Sequence, residues 1–301
     1  MRIVVMCCLA ALLAGCAAGP RQTVAPTAPP KPMAELLKDS PASDWRRLDS
    51  ENTVYMELPT GRVVIELAPA FAPAHVANIR TLVRQGYFDG LAIVRAQDNY
   101  VAQWGDPDEK REFGAAKKSL APEFTRALAP DLAFTALPDR DTYAETGFSS
   151  GFPAARDPAS ARAWLVHCYA MVGAGRANEA DSGSGAELYA VIGNAPRLLD
   201  RNVTLVGRVV RGIELLSTLP RGTAALGFYE KPGERTPIRS ARMASDLPAA
   251  ERVPLEALRT ESDTFRQLIE GRRLRRDDWY KESAGHVDVC NVPLPIRNAT
   301  P

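Results

Sequence analysis

Histidine is scarce in this chain: three residues in 301, at His75, His167 and His286. None stands in H-E-x-x-H or another metal-ligand spacing, so no metal site is expected and each reads as a structural residue with satisfied ring nitrogens. Nor is a nucleophilic serine or thiol expected to carry chemistry. The chain contains no C-x-x-C, and its five cysteines are Cys7, Cys8, Cys16, Cys168 and Cys290. The stretch VGAGRANEADSGSG fails as a dinucleotide loop, because Asn178 takes the third glycine position of G-x-G-x-x-G and small polar residues follow where a helix should open. Net charge is also small: at +1 it gives no electrostatic basis for a nucleic-acid partner. The densest basic run, Arg272 to Arg276, is followed at once by Asp277 and Asp278 and reads as a solvated helix face. No cofactor is implied by any of these patterns.

What is present begins at the N-terminus. Arg2 precedes an apolar run from Ile3 to Leu13, the form of a secretory signal and too short to cross a bilayer as a helix. The ending Leu13-Ala14-Gly15-Cys16 resembles the bacterial lipoprotein box, which implies cleavage after residue 15 and acylation of Cys16. Ala17 at the next position resembles lipoproteins sorted onward to the outer membrane, so a periplasmic, lipid-anchored protein is expected. Residues 16–44 read as a tether rich in proline and alanine, since such a composition buries no core and favours extended chain. Cys168 and Cys290 then remain as an even pair in an oxidising compartment; a disulfide and two buried thiols are both open.

The rest, 46% hydrophobic and 24% charged over the whole chain, is ordinary for a globular protein. TVYMEL and RVVIEL read as a hairpin turned by Gly61. Pro73 to Gly86 reads as an amphipathic helix with Val76, Ile79, Leu82 and Val83 on one stripe. LAIVRAQDNYVAQWG reads as two strands around a turn. Residues 125–162, broken repeatedly by Asp, Pro, Gly and Ser, read as loop. Trp164 to Val172, Glu187 to Gly193, Val203 to Val210 and Thr236 to Met243 read as strands, and Gly212 to Leu219 as a short helix. A longer helical pattern from Pro254 to Ser283 carries Leu255, Leu258, Phe265, Leu268 and Ile269. Strands outnumber helices, which predicts a mainly β domain.

A chain without an evident metal, thiol or base points to a reaction that needs no proton shuttle. The run ELPTGRVVIELAPAFAPAHVANIRTLVRQGYFDGLAIVRAQDNYVAQWGDPD resembles the opening half of a cyclophilin-type peptidyl-prolyl isomerase. GAELYAVIG and LDRNVTLVGRVVRGIELLSTLP resemble two later segments of that family. The resemblance covers about residues 52–246, with the stretch 126–165 unmatched. It implies a closed antiparallel β-barrel capped by two helices over 45–246, an insertion at about 126–165, and a C-terminal helix and tail over 247–301. It also implies roles: Arg95 donating to the prolyl nitrogen and Gln103 holding the substrate backbone. Tyr100, Val101 and Tyr189 would line the proline pocket, with Val172, Gly173, Glu187 and Leu199 along the adjoining groove. Val94, Trp104, Glu187 and Leu198 depart from the family's usual residues, and the tyrosines at 100 and 189 add hydroxyls that need partners. The implied partners are proline-containing clients in the cell envelope and, through Cys16, the membrane. A competing expectation is a catalytically weak groove that holds proline-containing segments as a chaperone, and a weaker one a structural lipoprotein with Arg95 as a surface charge.

Overall fold

The computed structural model describes residues 30–108, 110–130 and 132–299. The leader expected over residues 1–15, the anchor expected at Cys16 and the expected tether as far as residue 29 lie outside the described residues. The described chain is mainly β. Strands β2 (Thr53–Leu58) and β3 (Gly61–Leu67) form the expected hairpin. Its two-residue loop is Pro59-Thr60, and Gly61 heads β3 opposite Leu58 with φ +145°. Helix α2 (Pro73–Arg84) buries Val76, Ile79, Leu82 and Val83, with proline in its first turn where a missing N–H costs nothing.

Strands β4 (Ala92–Ala96), β5 (Val101–Gly105), β11 (Met171–Ala174), β12 (Leu188–Val191) and β13 (Leu205–Arg211) complete one large sheet with β14 (Thr236–Pro237) and β15 (Ser240–Met243). Its order is β14-β4-β5-β12-β11-β13-β3-β2-β15, and every pairing is antiparallel. The two edge strands, β14 and β15, are separated in the chain only by residues 238 and 239. The sheet therefore curls until its ends draw together, as right-handed twist allows. Inside the curl sits a core of Met56, Ile65, Ile79, Leu82, Ile93, Trp104, Val172 and Met243. The segment TPIRSARM is thus not one strand but two, serving opposite edges.

Four other readings change. The stretch 125–162 read as loop instead carries most of a second sheet, β6 (Arg126–Ala127), β7 (Thr135–Ala136), β8 (Glu145–Ser149), β9 (Phe152–Asp157) and β10 (Arg162–Leu165), in the order β6-β10-β9-β8-β7. Its apolar face builds a separate core with Phe71 from the β3–α2 connection, Met171 and Leu205 of the large sheet, and helix α4 (Asp263–Arg273). There Phe148 and Phe265 meet edge to face at 5.0 Å. Gly147 to Gly151 spells G-x-S-x-G, yet the stretch lies on the tight β8–β9 hairpin with Ser149 buried, not on an exposed strand-to-helix elbow. Trp164 to Val172 splits between β10 and β11, because its first half pairs in the small sheet and its second in the large one.

The helical pattern from Pro254 also splits. Leu255–Leu258 is strand β16, paired with β1 (Trp45–Arg47) and β17 (Ile296–Asn298) in a third sheet, and α4 follows, capped by the Ser262 hydroxyl accepting from the Phe265 N–H. Apolar residues three apart fit a helix face as well as a strand here, and the partner strands decide. The tether reading runs too far: α1 (Met33–Lys38) is helical and buries Leu36 in the second core. Cys168 and Cys290 are joined, with Cα atoms 4.9 Å apart across 122 residues of sequence.

Candidate active site

Ladder registers place the site. Arg95 on β4 pairs with Gln103 on β5, Gln103 with Tyr189 on β12, and Tyr189 with Gly173 on β11. Directly opposed residues share a face of a sheet, so these four form one row across four strands. Strict alternation along β4 would have sent Arg95 inward beside Ile93, which faces the core opposite Trp104. A one-residue register shift between Ile93 and Arg95 prevents that. Val94 is the extra residue of a β-bulge, and a one-residue slip turns the following side chain to the other face. The carbonyl of Val94 accepts from the Tyr229 N–H at 3.0 Å, so the bulge leaves no buried oxygen unmet. Gln103 points outward between the inward-facing Ala102 and Trp104.

On the outer face Val101, Tyr189 and Val191 form a small apolar cluster with Tyr100 and Val203 packed against it. A cavity of about 280 Å³ opens over it, bordered by Arg95, Gln103, Tyr100, Tyr189, Leu199 and Arg176 among others. Of the residues expected in the groove, Val172 is absent from it: its side chain is 0% exposed and belongs to the inner core. Gly173 contributes by having no side chain, for a Cβ there would lie 2.3 Å from the Tyr189 hydroxyl. Leu198 stands 74% exposed beside the cavity wall formed by Leu199.

Arg95 is held on three sides. Its Nε donates to the Leu226 carbonyl at 2.7 Å, one terminal nitrogen to Gln103 Oε1 at 2.9 Å, and the other to Gln97 Oε1. The guanidinium carbon lies 5.5 Å from the Tyr100 ring centroid and 5.2 Å from that of Phe228. Partial burial lowers the Arg95 pKa, with Tyr100 and then Glu187 opposing the shift; an arginine starts so far above neutrality that its charge persists. Gln103 in turn donates from Nε2 to Glu187 Oε1 at 2.6 Å. A carboxylate only accepts, so Glu187 orients the amide with its oxygen toward Arg95. Glu187, Gln103 and Arg95 are therefore one aligned chain. The loop carrying Leu226 and Phe228 gave no local signal of this role, being joined to β4 only by the fold.

Gly173→Ala is expected to lower kcat/KM by about tenfold, the scale of overpacking a filled site by one methyl group. Peptide exchange kinetics on the folded variant read it, and an unchanged value would show that the Tyr189 ring has room to move without consequence.

The pocket thus joins an apolar floor that includes Val101, Tyr189 and Val203 to a polar rim of Arg95, Gln103 and Arg176, on the outer face of a curled antiparallel sheet. Residues 53–243 match the family model described as cyclophilin type peptidyl-prolyl cis-trans isomerase/CLD. The chain belongs to that family and is a peptidyl-prolyl cis-trans isomerase. It is 29% identical over 177 residues to a probable peptidyl-prolyl cis-trans isomerase of Brucella suis biovar 1, covering 59% of this chain and 76% of that protein. It is 35% identical over 82 residues to peptidyl-prolyl cis-trans isomerase-like 1 of Homo sapiens, covering 27% of this chain and 48% of that one. The solved structure of cyclophilin AquaCyp293 from Hirschia baltica is similar with a TM-score of 0.67 and 28% identity, covering 85% of this chain and 95% of that chain.

Proposed function

We propose that Arg95 drives the isomerisation by donating a hydrogen bond to the prolyl nitrogen, acting on exported proteins from a lipid anchor at Cys16. The observation that carries this reading is the row Arg95–Gln103–Tyr189–Gly173, which sets a guanidinium at the rim of an aromatic pocket. A peptide bond resists rotation by ~18–20 kcal/mol because the nitrogen lone pair is delocalised into the carbonyl. In the twisted state the nitrogen is pyramidal and its lone pair can accept; in the planar ground state it cannot. A donor fixed at that point binds the transition state better than the substrate, which is what lowers a barrier. Three of the five guanidinium N–H groups are engaged within the protein, and the other two serve the substrate. The Tyr100 and Tyr189 rings hold the proline, and Gln103 sets the guanidinium.

The test is cis-to-trans exchange of a short X-Pro peptide with wild type beside Arg95→Ala. A chaperone-like groove would instead bind the peptide in both forms and accelerate neither. The envelope location is supported by the Leu13-Ala14-Gly15-Cys16 run and by the Cys168–Cys290 bridge, since such bridges persist in oxidising compartments. Labelled palmitate fed to expressing cells is expected to enter the wild-type protein and not Cys16→Ala; equal labelling of both would remove the anchor.

A further inference from the structure

The hydroxyl of Tyr189, whose ring lines the pocket, has a partner that is not itself part of the lining. It lies 2.8 Å from His167 Nε2. Asp200 Oδ1 accepts from His167 Nδ1 at 2.8 Å and from the His167 backbone N–H at 3.0 Å. The other oxygen of Asp200 accepts from Arg197 Nε at 2.7 Å. Both terminal nitrogens of Arg197 then grip Asp141, at 3.0 and 3.1 Å. His167 is fully buried, Asp200 and Arg197 nearly so, and Asp141 lies in the inserted segment between β7 and β8. Five polar side chains thus run without a gap from the inserted sheet to the ring that floors the pocket.

We propose that His167 is a positioning residue for the isomerisation, setting the Tyr189 ring through its hydroxyl, and that the inserted sheet sets His167 in turn through Asp141, Arg197 and Asp200. The geometry supports this in two ways. With Nδ1–H committed to Asp200, the imidazole cannot turn, and its Nε2 meets the hydroxyl at one place only. On the other side Gly173 leaves the phenol tip just enough space, so the ring is caught between a backbone and a hydrogen bond. A ring free to swing at its side-chain torsions would present a pocket of variable depth. Proline binding, shared by ground and transition states, is what such a loss would weaken.

The inference rests on the assignment of the pocket and Arg95 to the reaction, and the test separates the two. KM and kcat are measured for wild type, His167→Asn, His167→Gln and Asp141→Asn, each with Tyr189 and with Tyr189→Phe, and Arg95→Ala is run alongside. Asparagine keeps the group that faces Asp200 and loses the reach to Tyr189; glutamine keeps the reach. His167→Asn is expected to raise KM about tenfold with kcat little changed, the scale of one buried hydrogen bond left unmade. His167→Gln restores most of the loss. Asp141→Asn moves KM in the same direction by a smaller factor, and in the Tyr189→Phe background none of the three has a further effect. If His167→Asn does not fold, the Asp141→Asn and Tyr189→Phe cycle carries the same comparison. The proposal is overturned if the folded variants keep the wild-type KM and lose only thermal stability, or if the same losses persist with Tyr189→Phe. Full activity in Arg95→Ala overturns the site assignment and the proposal with it.

Discussion

Replacing Arg95 with alanine is expected to cut kcat/KM for a prolyl peptide by about 10²–10³-fold, the range seen when one preorganised transition-state donor is removed. That factor corresponds to roughly 3–4 kcal/mol of lost stabilisation. On the proposed mechanism the loss falls mostly in kcat, because the donor would meet a lone pair that is free to accept only in the twisted state. Arg95→Lys should recover little. An ammonium cannot at once serve the Leu226 carbonyl, Gln103 and Gln97, as the planar fork does, and still present a donor to substrate. The fold should tolerate alanine, since Arg95 stands on the outer face and the core residues beside it are Ile93 and Ala96. NMR exchange spectroscopy on the peptide at equilibrium measures the rate directly. A folded Arg95→Ala protein with wild-type exchange would overturn the assignment of Arg95 and this pocket to the reaction.

Loss of the disulfide is expected to be the largest single change in stability. Cys168 precedes β11 and Cys290 lies in the C-terminal segment, 122 residues on. Linking points so far apart restricts the unfolded chain strongly, and removing a native bridge of this kind costs about 2–5 kcal/mol. For a domain of this size the melting temperature should fall by on the order of 10 °C, at ~2–4 °C per kcal/mol. Cys290→Ser should show it in a thermal melt, and the wild type under a reductant should match the variant. Val287, Val289 and Val292 around Cys290 are buried in the second core, so packing will retain part of the C-terminal segment. A melt unchanged by both treatments would show that packing alone holds it.

Much of the site was legible because its signals are local. The T-G hairpin, the α2 stripe and the Arg95 to Gln103 spacing lie within short windows, where turn chemistry and hydrophobic period act. The misreadings share a cause. Strands β6 to β10 are short and interrupted by Gly, Pro and Asp, so residues 126–165 show no period of their own; they are strands because each finds a partner and because Phe148, Phe152 and Trp164 find α4 and Phe71. Val172 was expected in the groove with Gly173 by resemblance, but the two are successive residues of one strand and face opposite sides of the sheet. A register shift lies between the two, with Val172 opposite Gly207 and Gly173 opposite Leu205, and the Val172 side chain goes to the core. The partners of Arg95 in the loop 226–228 and the partner of the Tyr189 hydroxyl were invisible for the same reason: each is brought in from a distant part of the chain.

The sequence by itself determined the mainly β character, the apolar stripe of α2 and the spacing of Arg95 and Gln103 across one turn, since these follow from side-chain type and local spacing. Only the tertiary structure decided which way Arg95 points, what holds it, and how Tyr189 is anchored. Those outcomes depend on ladder register and on burial against remote segments, and a hydrogen bond between His167 and Tyr189 or between Arg95 and Leu226 exists only once the intervening chain has folded.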